Sequence, residues 1–484
     1  MSTEAGDDGT DALFQVAEDS YRTGDWAKAS ILFQMLQARH PAAAAARGVP
    51  IAAGHCRIEL SDDVDPTALA AELVPLVPGQ AVFGRIGPIR LRVLALCRAR
   101  NFARAMRLVF FLASFDQQIG LALSDGMVKG RSGCWETPDD AAEPGFLEAD
   151  RRSDAAIAAL KARFEGRRVL LILPWNEPYS MGDRHARSAR AFGLVSRSLD
   201  LHQALGNLDP ALMSARIQAE LDAFRPDIVV CNSLVELGLE PAVVEPVSAV
   251  FEAARRKHGV RVVASMSDAW RIPADRITDG LGRSLDMIQH CHPALLQQRT
   301  FDARTVFCYV QPTVLPTPSV AAGTIPRAVA CGSFTFANPS RLLWWARAGL
   351  SDLPFDFVET SVDGEGMLSA QRYADLLCEH QLTISLTRRL TGTTIVTGRS
   401  IEILLVGGVL LDENSFDSRY FLKPGTHYLP FETWADLAEL IPWLLAHPEH
   451  RQRLARAGQA WAQRHFSGDW FWAGVLDRLY DARG

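Results

Sequence analysis

Short apolar runs alternate with helical stretches along most of this chain, and this alternation narrows its fold more than any other property. Three clear runs are RRVLLILPW (167–175), DIVVCNS (227–233) and VRVVASMSD (260–268), and DMIQHCHP and RTVFCYVQP are weaker ones. Helical stretches such as DPALMSARIQAELDAF separate them. Strands that are apolar on both faces and alternate with helices indicate a parallel sheet covered by helices. We therefore predict a Rossmann-like α/β lobe over residues 166–315.

The pattern restarts after a proline-dense break, VQPTVLPTPSV (310–320). The later strand-like runs are RAVACGSFT (327–335), FDFVETS, LTISLTR and VLLDE, with helices between them and closing helices after them. A second Rossmann-like lobe is predicted over residues 316–484. Ligands of such open sheets bind at the carboxyl ends of the strands, so we expect a site in the crevice between the lobes.

The region before the lobes, residues 1–125, has helical spacing. One stretch resembles a tetratricopeptide repeat, with residues of the expected type at Ala17, Tyr21, Gly24, Asp25, Trp26, Ala29, Phe33 and Pro41. A weaker copy places Asn101-Phe102 at the turn and Ala105 at the small position. Two interpretations stay open: a protein-binding groove, or a helical cap packed on the lobes. Residues 126–165 are predicted to be a Gly-, Pro- and acid-rich linker followed by a connecting helix.

Charge and cysteine usage exclude several classes of protein. The net charge of −6 does not support a nucleic-acid partner, which would favour a basic surface. The 8 cysteines include no C-x-x-C pair, and buried free thiols are expected. Neither a signal peptide nor a transmembrane segment is visible, so a cytoplasmic location is predicted. The sequence is compatible with an oligomer.

The most informative motif is GRSIEILLVGGVLLDE (398–413), which places Arg399 and Glu402 one helical turn apart ahead of an apolar run. The purely structural interpretation is an ion pair on a solvated helix face, which would stabilise the helix by about 0.2–0.5 kcal/mol. The apolar run instead predicts a buried helix whose charged first turn points into the crevice.

This motif resembles the donor-binding segment of GT-B glycosyltransferases, in which R-x-x-E precedes a short apolar helix and a glycine turn. Cys331-Gly332-Ser333, the helix that carries Tyr373, and the pattern over residues 437–467 extend the resemblance. It implies a nucleotide-sugar donor, with Glu402 on the ribose hydroxyls and Arg399 on the pyrophosphate. Further donor-binding residues implied are Gly332, Ser333, Arg341, Thr391, Gly392, Thr393 and Thr394.

The catalytic groups are less well defined. Many retaining GT-B enzymes carry a second glutamate eight residues before the ribose-binding one, and this chain has Thr394 there. The stereochemical outcome is therefore not carried over. Asp268, at the end of an apolar strand, is the first candidate for a catalytic base, with capping of the next helix as the alternative. His185, in the loop after the first strand, is the second candidate, and a surface histidine is its bland interpretation.

A metal site at His290, Cys291 and His292 is disfavoured because no third ligand of suitable spacing is nearby. We expect no metal and no other cofactor, since the nucleotide-sugar is a substrate. The predicted function is transfer of a sugar, hexosyl or related, to an acceptor hydroxyl on a protein or a surface glycan. A protein acceptor would bind through the helical region. The alternatives are a nucleotide-sugar epimerase on the same fold and a non-catalytic interaction protein.

Overall fold

The computed structural model describes residues 8–116, 119, 144–145, 152–173, 180–200, 210–232, 241–266, 284–293, 306–332, 340–359, 368–387 and 396–481. Across these ranges the chain forms a helical region followed by two parallel α/β lobes, which confirms the predicted fold class. No helix within them is long and apolar enough to cross a membrane. The cysteines within them are free, and all but the half-buried Cys308 are buried.

The helical region is built from antiparallel helices joined by tight turns. Its helices are α1 (Asp8–Arg22), α2 (Trp26–Arg39), α3 (Pro41–Ala46), α4 (Val49–Leu60), α5 (Pro66–Leu73), α6 (Gly79–Arg98) and α7 (Phe102–Ala113). Gly24 turns the chain between α1 and α2 at a φ of 79°, which favours glycine. Asp25 caps α2 by accepting a hydrogen bond from the Lys28 backbone. The predicted helical hairpin is confirmed, and its tetratricopeptide type stays a prediction.

The first lobe is a six-stranded parallel sheet in the order β2-β1-β3-β4-β5-β6. Its strands are β1 (Arg168–Leu173), β2 (Val195–Asp200), β3 (Ile228–Asn232), β4 (Arg261–Met266), β5 (Met287–His290) and β6 (Val306–Cys308). Its helices are α8 (Asp154–Phe164), α9 (Met181–Phe192), α10 (Pro210–Phe224) and α11 (Pro241–His258). The five apolar runs correspond to β1 and β3–β6, whereas β2 was not predicted.

The second lobe has a five-stranded parallel sheet in the order β11-β10-β9-β7-β8. Its strands are β7 (Ile325–Gly332), β8 (Phe355–Glu359), β9 (His380–Ser385), β10 (Leu410–Glu413) and β11 (Leu429–Phe431). The helices that follow β7 are α12 (Ser340–Leu350), α13 (Ala370–Glu379), α14 (Gly398–Leu405), α15 (Phe416–Phe421), α16 (Trp434–Ala446), α17 (Pro448–His465) and α18 (Gly468–Asp481). The inner strand β7, between β9 and β8, ends at Gly332, so the carboxyl edge of the sheet lies there.

The last helix returns to the first lobe. Trp472 of α18 donates a 2.9 Å hydrogen bond to the Ser188 hydroxyl on α9, and Phe471 packs on the same helix. A common apolar core contains residues of α8, α9, β1 and α18 together with residues of the second lobe. The predicted boundary placed residues 316–484 together in the second lobe, and α18 of that range packs on α9 of the first lobe.

The helical region packs on the second lobe through α12. Leu342, Leu343 and Ala346 of α12 belong to the same buried cluster as the apolar residues of α6 and α7. Arg98 and Glu359 form an ion pair across this contact, with a Nε–Oε2 distance of 2.6 Å. Two interpretations of the helical region were left open. The α6–α7 face agrees with the second of them, a helical cap packed on the lobes.

Candidate functional site

Helix α14 brings Arg399 and Glu402 to the carboxyl edge of the second sheet. Its buried residues are Ser400, Ile401, Glu402, Ile403 and Leu404. Because α14 follows β9 and precedes β10, its first turn lies at the edge where the strands end. Gly407, at a φ of 79°, turns the chain sharply from the helix toward β10. The buried helix with a charged first turn, predicted from the motif, is present.

Both carboxylate oxygens of Glu402 accept hydrogen bonds. The Tyr373 hydroxyl, on α13, donates to Oε2 over 2.7 Å. The Arg184 guanidinium, on α9 of the first lobe, donates to Oε1. The Glu402 side chain is 7% exposed and that of Arg184 is 20% exposed. The carboxylate is therefore held between the two lobes rather than on a solvated helix face.

The surroundings of Glu402 keep it ionised. Burial by itself raises the pKa of a carboxyl group, but Arg184, the Tyr373 hydrogen bond and Arg399 outweigh it, and the pKa of Glu402 lies below its ordinary value. The group is thus an acceptor-only carboxylate at neutral pH, which suits it to bind hydroxyl groups.

Arg399 does not pair with Glu402, although the two are spaced as an i,i+3 ion pair. Within the described ranges its Nε is buried and has no hydrogen-bond partner. Its Nη1 lies 3.3 Å from the position that a Cβ on Gly332 would occupy. The guanidinium therefore lies against the carboxyl end of β7, at the edge of the sheet that faces the crevice.

Arg341 reaches the same point from α12. Its Nη2 donates a 2.8 Å hydrogen bond to the Leu386 carbonyl, just beyond β9. Its Nη1 is 2.6 Å from the position of a Cβ on Gly332, so any side chain there would displace it. Gly332 is thus the residue that lets two guanidinium groups approach the backbone at the end of β7.

A buried network of hydrogen bonds connects α14 to the strands beside it. Asp412 accepts hydrogen bonds from Ser418 over 2.7 Å and from Ser400 of α14 over 3.3 Å. Burial raises the pKa of Asp412 to about 7, against the effect of these hydroxyl groups. Next to it, the buried Glu413 carboxylate accepts a hydrogen bond from the backbone N–H of Thr387. These contacts fix the start of α14 and the end of β9.

Comparison with known proteins finds a match to this part of the chain. Residues 340–477, which contain Arg341, Tyr373, Arg399 and Glu402, match a family model described as glycosyl transferase-like. The match covers most of the second lobe. With two Rossmann-like lobes, parallel sheets and a site at the carboxyl edge of the second, the chain has the GT-B architecture that the motif predicted.

Similar proteins include Protein O-glucosyltransferase 2 from Danio rerio, 34% identical over 80 residues, a match that spans 16% of each chain. HepE from Anabaena, in complex with UDP and glucose, is 12% identical over 64% of this chain and 99% of that one, with a TM-score of 0.44. An alpha-glucosyltransferase in complex with UDP-glucose and DNA containing an abasic site is 10% identical over 65% and 99%, with a TM-score of 0.45. A glycosyltransferase from Rickettsia africae is 10% identical over 66% and 98%, with a TM-score of 0.43.

Four of the predicted site residues come together in the second lobe. They are Gly332, Arg341, Arg399 and Glu402, and the contacts that join them are those above. The other donor-side residues lie outside the described ranges, as does the candidate base: Ser333, Thr391, Gly392, Thr393, Thr394 and Asp268. Their roles stay predictions.

His185 lies inside the first lobe. Its side chain is 0% exposed, and its ring packs edge-on against Phe471 at 5.5 Å. Nδ1 donates a 2.8 Å hydrogen bond to the Met181 carbonyl within α9. Burial lowers the pKa of His185 to about 4, so the ring is neutral. The structure does not bring His185 together with the donor-side residues. His185 is packed as a core residue and is therefore not the surface histidine that the alternative interpretation predicted.

Two residues of the site were not predicted as site residues. Tyr373 entered the prediction only as part of the resemblance to the family. A tyrosine in the first turn of an amphipathic helix is nevertheless well placed to donate a hydrogen bond from a buried hydroxyl group. Arg184 lies in the run DRHARSAR, next to the candidate base His185. The cluster of arginines there was a usable signal for an anion-facing surface.

His292, two residues after β5, contacts the second lobe. Its Nδ1 lies 3.4 Å from Oδ2 of Asp417 on α15, so this pair joins the two lobes. In the described part of the chain, no group of three or more His, Cys, Asp or Glu residues is arranged to hold a metal ion.

Proposed function

We propose that this protein transfers a sugar from a nucleotide-sugar donor to an acceptor hydroxyl. One observation carries the proposal: two arginines converge on Gly332 at the carboxyl edge of the second sheet, and one of them, Arg399, shares its helix with the ionised, buried carboxylate of Glu402. A nucleoside diphosphate has a ribose diol and a diphosphate, and these groups need a hydrogen-bond-accepting carboxylate and positive charge, respectively. The family match over residues 340–477 supports the same activity.

Each residue has a defined task in this proposal. Glu402 accepts hydrogen bonds from the ribose hydroxyls, and Tyr373 orients its carboxylate. Arg399 and Arg341 neutralise the diphosphate. Gly332 lets both guanidinium groups lie against the end of β7, where they face the diphosphate. As the anomeric carbon–oxygen bond breaks, negative charge builds up on the departing diphosphate, and the arginines stabilise it without a metal ion.

The acceptor binds on the side of the first lobe. Its hydroxyl oxygen forms a bond to the anomeric carbon, the nucleoside diphosphate leaves, and a base takes the hydroxyl proton. Asp268 is our proposal for this base because it follows β4, whose carboxyl end faces the crevice. Whether the anomeric configuration is inverted or retained depends on the face from which the acceptor attacks.

We propose a protein or a surface glycan as the acceptor. The name of the Danio rerio relative, a protein O-glucosyltransferase, favours a protein acceptor and a hexosyl group. The α6–α7 face of the helical region is taken up by α12, so a docked protein would contact its other helices. Exposed apolar residues such as Ile31, which is 59% exposed on α2, are available there.

The test is incubation of the purified protein with a panel of nucleotide sugars that includes UDP-glucose, with and without acceptor proteins and glycans. Release of the nucleoside diphosphate together with a labelled acceptor supports the proposal. An isomerised donor without transfer would indicate an epimerase. No binding of any donor would indicate a non-catalytic protein. The variant Arg399→Gln should lose the activity, and Arg187→Gln, an exposed residue paired with Asp183 on α9, is the matched control.

A further inference from the structure

Arg184 of the first lobe contacts the donor-side carboxylate, that of Glu402, across the crevice. It comes from the first lobe, whereas its partner Glu402 belongs to the second, so the guanidinium covers the carboxylate on the side that faces the crevice. Tyr373 occupies the other oxygen from within the second lobe. A ribose that approaches Glu402 from the crevice therefore meets Arg184 first.

We propose that Arg184 changes partners when a donor binds: it pairs with Glu402 in the empty site and with the donor diphosphate in the loaded site. The crevice would then accept nucleotides and reject nucleosides. The inference rests on the proposed function, because it assigns a role to a further residue in the same site.

The charge at the site supports this exchange. Arg184 pairs with Glu402, and Arg399 is close enough to lower the pKa of that carboxylate. Arg399 and Arg341 already meet at Gly332, so a diphosphate bound there would lie beside the Glu402 end of Arg184. An arginine that leaves a buried carboxylate needs another anion, and a diphosphate offers paired oxygens that match its planar fork.

A nucleoside offers no such replacement. It would have to separate Arg184 from Glu402 without supplying an anion in place of the carboxylate, which is unfavourable for a partly buried ion pair. The diphosphate compensates for this loss, so the binding of the ribose depends on the phosphates. Since Arg184 is on α9, the exchange also ties the position of the first lobe to the occupancy of the second.

The experiment is calorimetric titration of ADP, GDP, UDP and dTDP into the wild type, followed by the nucleoside of whichever one binds. The same two ligands are then titrated into Arg184→Gln, Arg184→Lys and the control Arg187→Gln. We expect Arg184→Gln to weaken the binding of the diphosphate by about tenfold or more, since tenfold is the lower end of the effect of losing a charge-assisted hydrogen bond. The nucleoside should bind this variant as tightly as the wild type or more tightly. Arg184→Lys should give intermediate values, and Arg187→Gln should change neither ligand.

The outcomes separate the alternatives. An equal loss for the nucleoside and the diphosphate would mean that Arg184 only positions Glu402, and unchanged binding of both would mean that it has no part in donor binding; either result overturns the inference. If the wild type binds none of the four diphosphates, the proposed function itself is overturned, and the inference with it. Thermal unfolding of each variant confirms that the fold is retained, and Arg184→Lys preserves the test if Arg184→Gln does not fold.

Discussion

The hydroxyl of Tyr373 donates a 2.7 Å hydrogen bond to the carboxylate of Glu402 and thereby joins α13 to the first turn of α14. This bond fixes the rotamer of the carboxylate, and it is one of the interactions that hold the pKa of Glu402 below its ordinary value. The two residues are 29 positions apart, so the relationship depends on the packing of the second lobe.

Tyr373→Phe should weaken the binding of a nucleoside diphosphate by about 1 kcal/mol, because the carboxylate loses a fixed donor and part of its orientation. Removal of the bond also raises the pKa of Glu402. As the pH falls, the variant should therefore protonate and lose affinity at a higher pH than the wild type. Calorimetry from pH 5 to 8 measures this, with Tyr480→Phe on α18 as the control. Identical pH profiles for the two proteins would contradict the role given to Tyr373.

Gly332→Ala should disrupt the site without unfolding the lobe. The new methyl group would lie 2.6 Å from Nη1 of Arg341 and 3.3 Å from Nη1 of Arg399, so both guanidinium groups must move away from the diphosphate. We expect at least about a tenfold loss of affinity for the diphosphate.

Gly84→Ala is the matched control, because a Cβ there meets nothing within 4 Å and α6 should gain up to about 1 kcal/mol from the better helix former. Equal affinities of Gly332→Ala and the wild type would show that the diphosphate does not lie at the end of β7.

Asp412 should make the stability of the protein depend on pH. Burial raises its pKa to about 7, whereas an unfolded aspartate titrates near pH 3.9. Between these values the folded state keeps a proton that the unfolded state has lost. The free energy of unfolding should therefore fall as the pH rises through this window, by at most about 1.4 kcal/mol per pH unit from this group.

Asp412→Asn should remove that dependence and should be relatively more stable than the wild type above pH 7. Urea unfolding at several pH values between 4.5 and 8.5 measures the slopes. Asp62→Asn, at a side chain that is 89% exposed, should keep the slope of the wild type. Parallel curves for Asp412→Asn and the wild type would refute the assignment.

Helix α12 should couple the stability of the helical region to that of the second lobe. Leu343→Ala, at a fully buried position in the cluster shared with α6 and α7, should lower the free energy of unfolding by roughly 2–5 kcal/mol. Leu350→Ala on the same helix, at a position 55% exposed, should change it by no more than about 0.5 kcal/mol. Equal effects of the two substitutions, measured by urea unfolding, would show that the helical region does not rest on this helix.

Local chemistry made much of the fold predictable. Strands that are apolar on both faces, such as β3 and β4, identify themselves as the centre of a parallel sheet. The edge strand β2 was not predicted because VSRSLD has only two apolar residues, with three polar residues between them, and Val195 is 48% exposed. The position of the charges at the start of α14 could be predicted because the residues that follow them are nearly all apolar, so the helix must be buried.

Contacts between distant segments were not predictable in the same way. The sequence shows that Arg184 is a cation near a loop, but its partner Glu402 is 218 positions away and reaches it only when the lobes face each other. The apolar helix α12 likewise has two buried faces. Trp344 packs in the core of its own lobe and Leu343 packs on the helical region, and spacing alone does not say what covers each face.

The most direct test of the account is a double-mutant cycle between Glu402 and the ribose diol. A nucleoside diphosphate and its 2′,3′-dideoxy analogue are titrated into the wild type and into Glu402→Gln by calorimetry. The account predicts that the wild type prefers the natural nucleotide by about 1.5–3 kcal/mol and that Glu402→Gln shows almost no preference. Equal binding of the two nucleotides by the wild type, or a preference that persists in the variant, would contradict it.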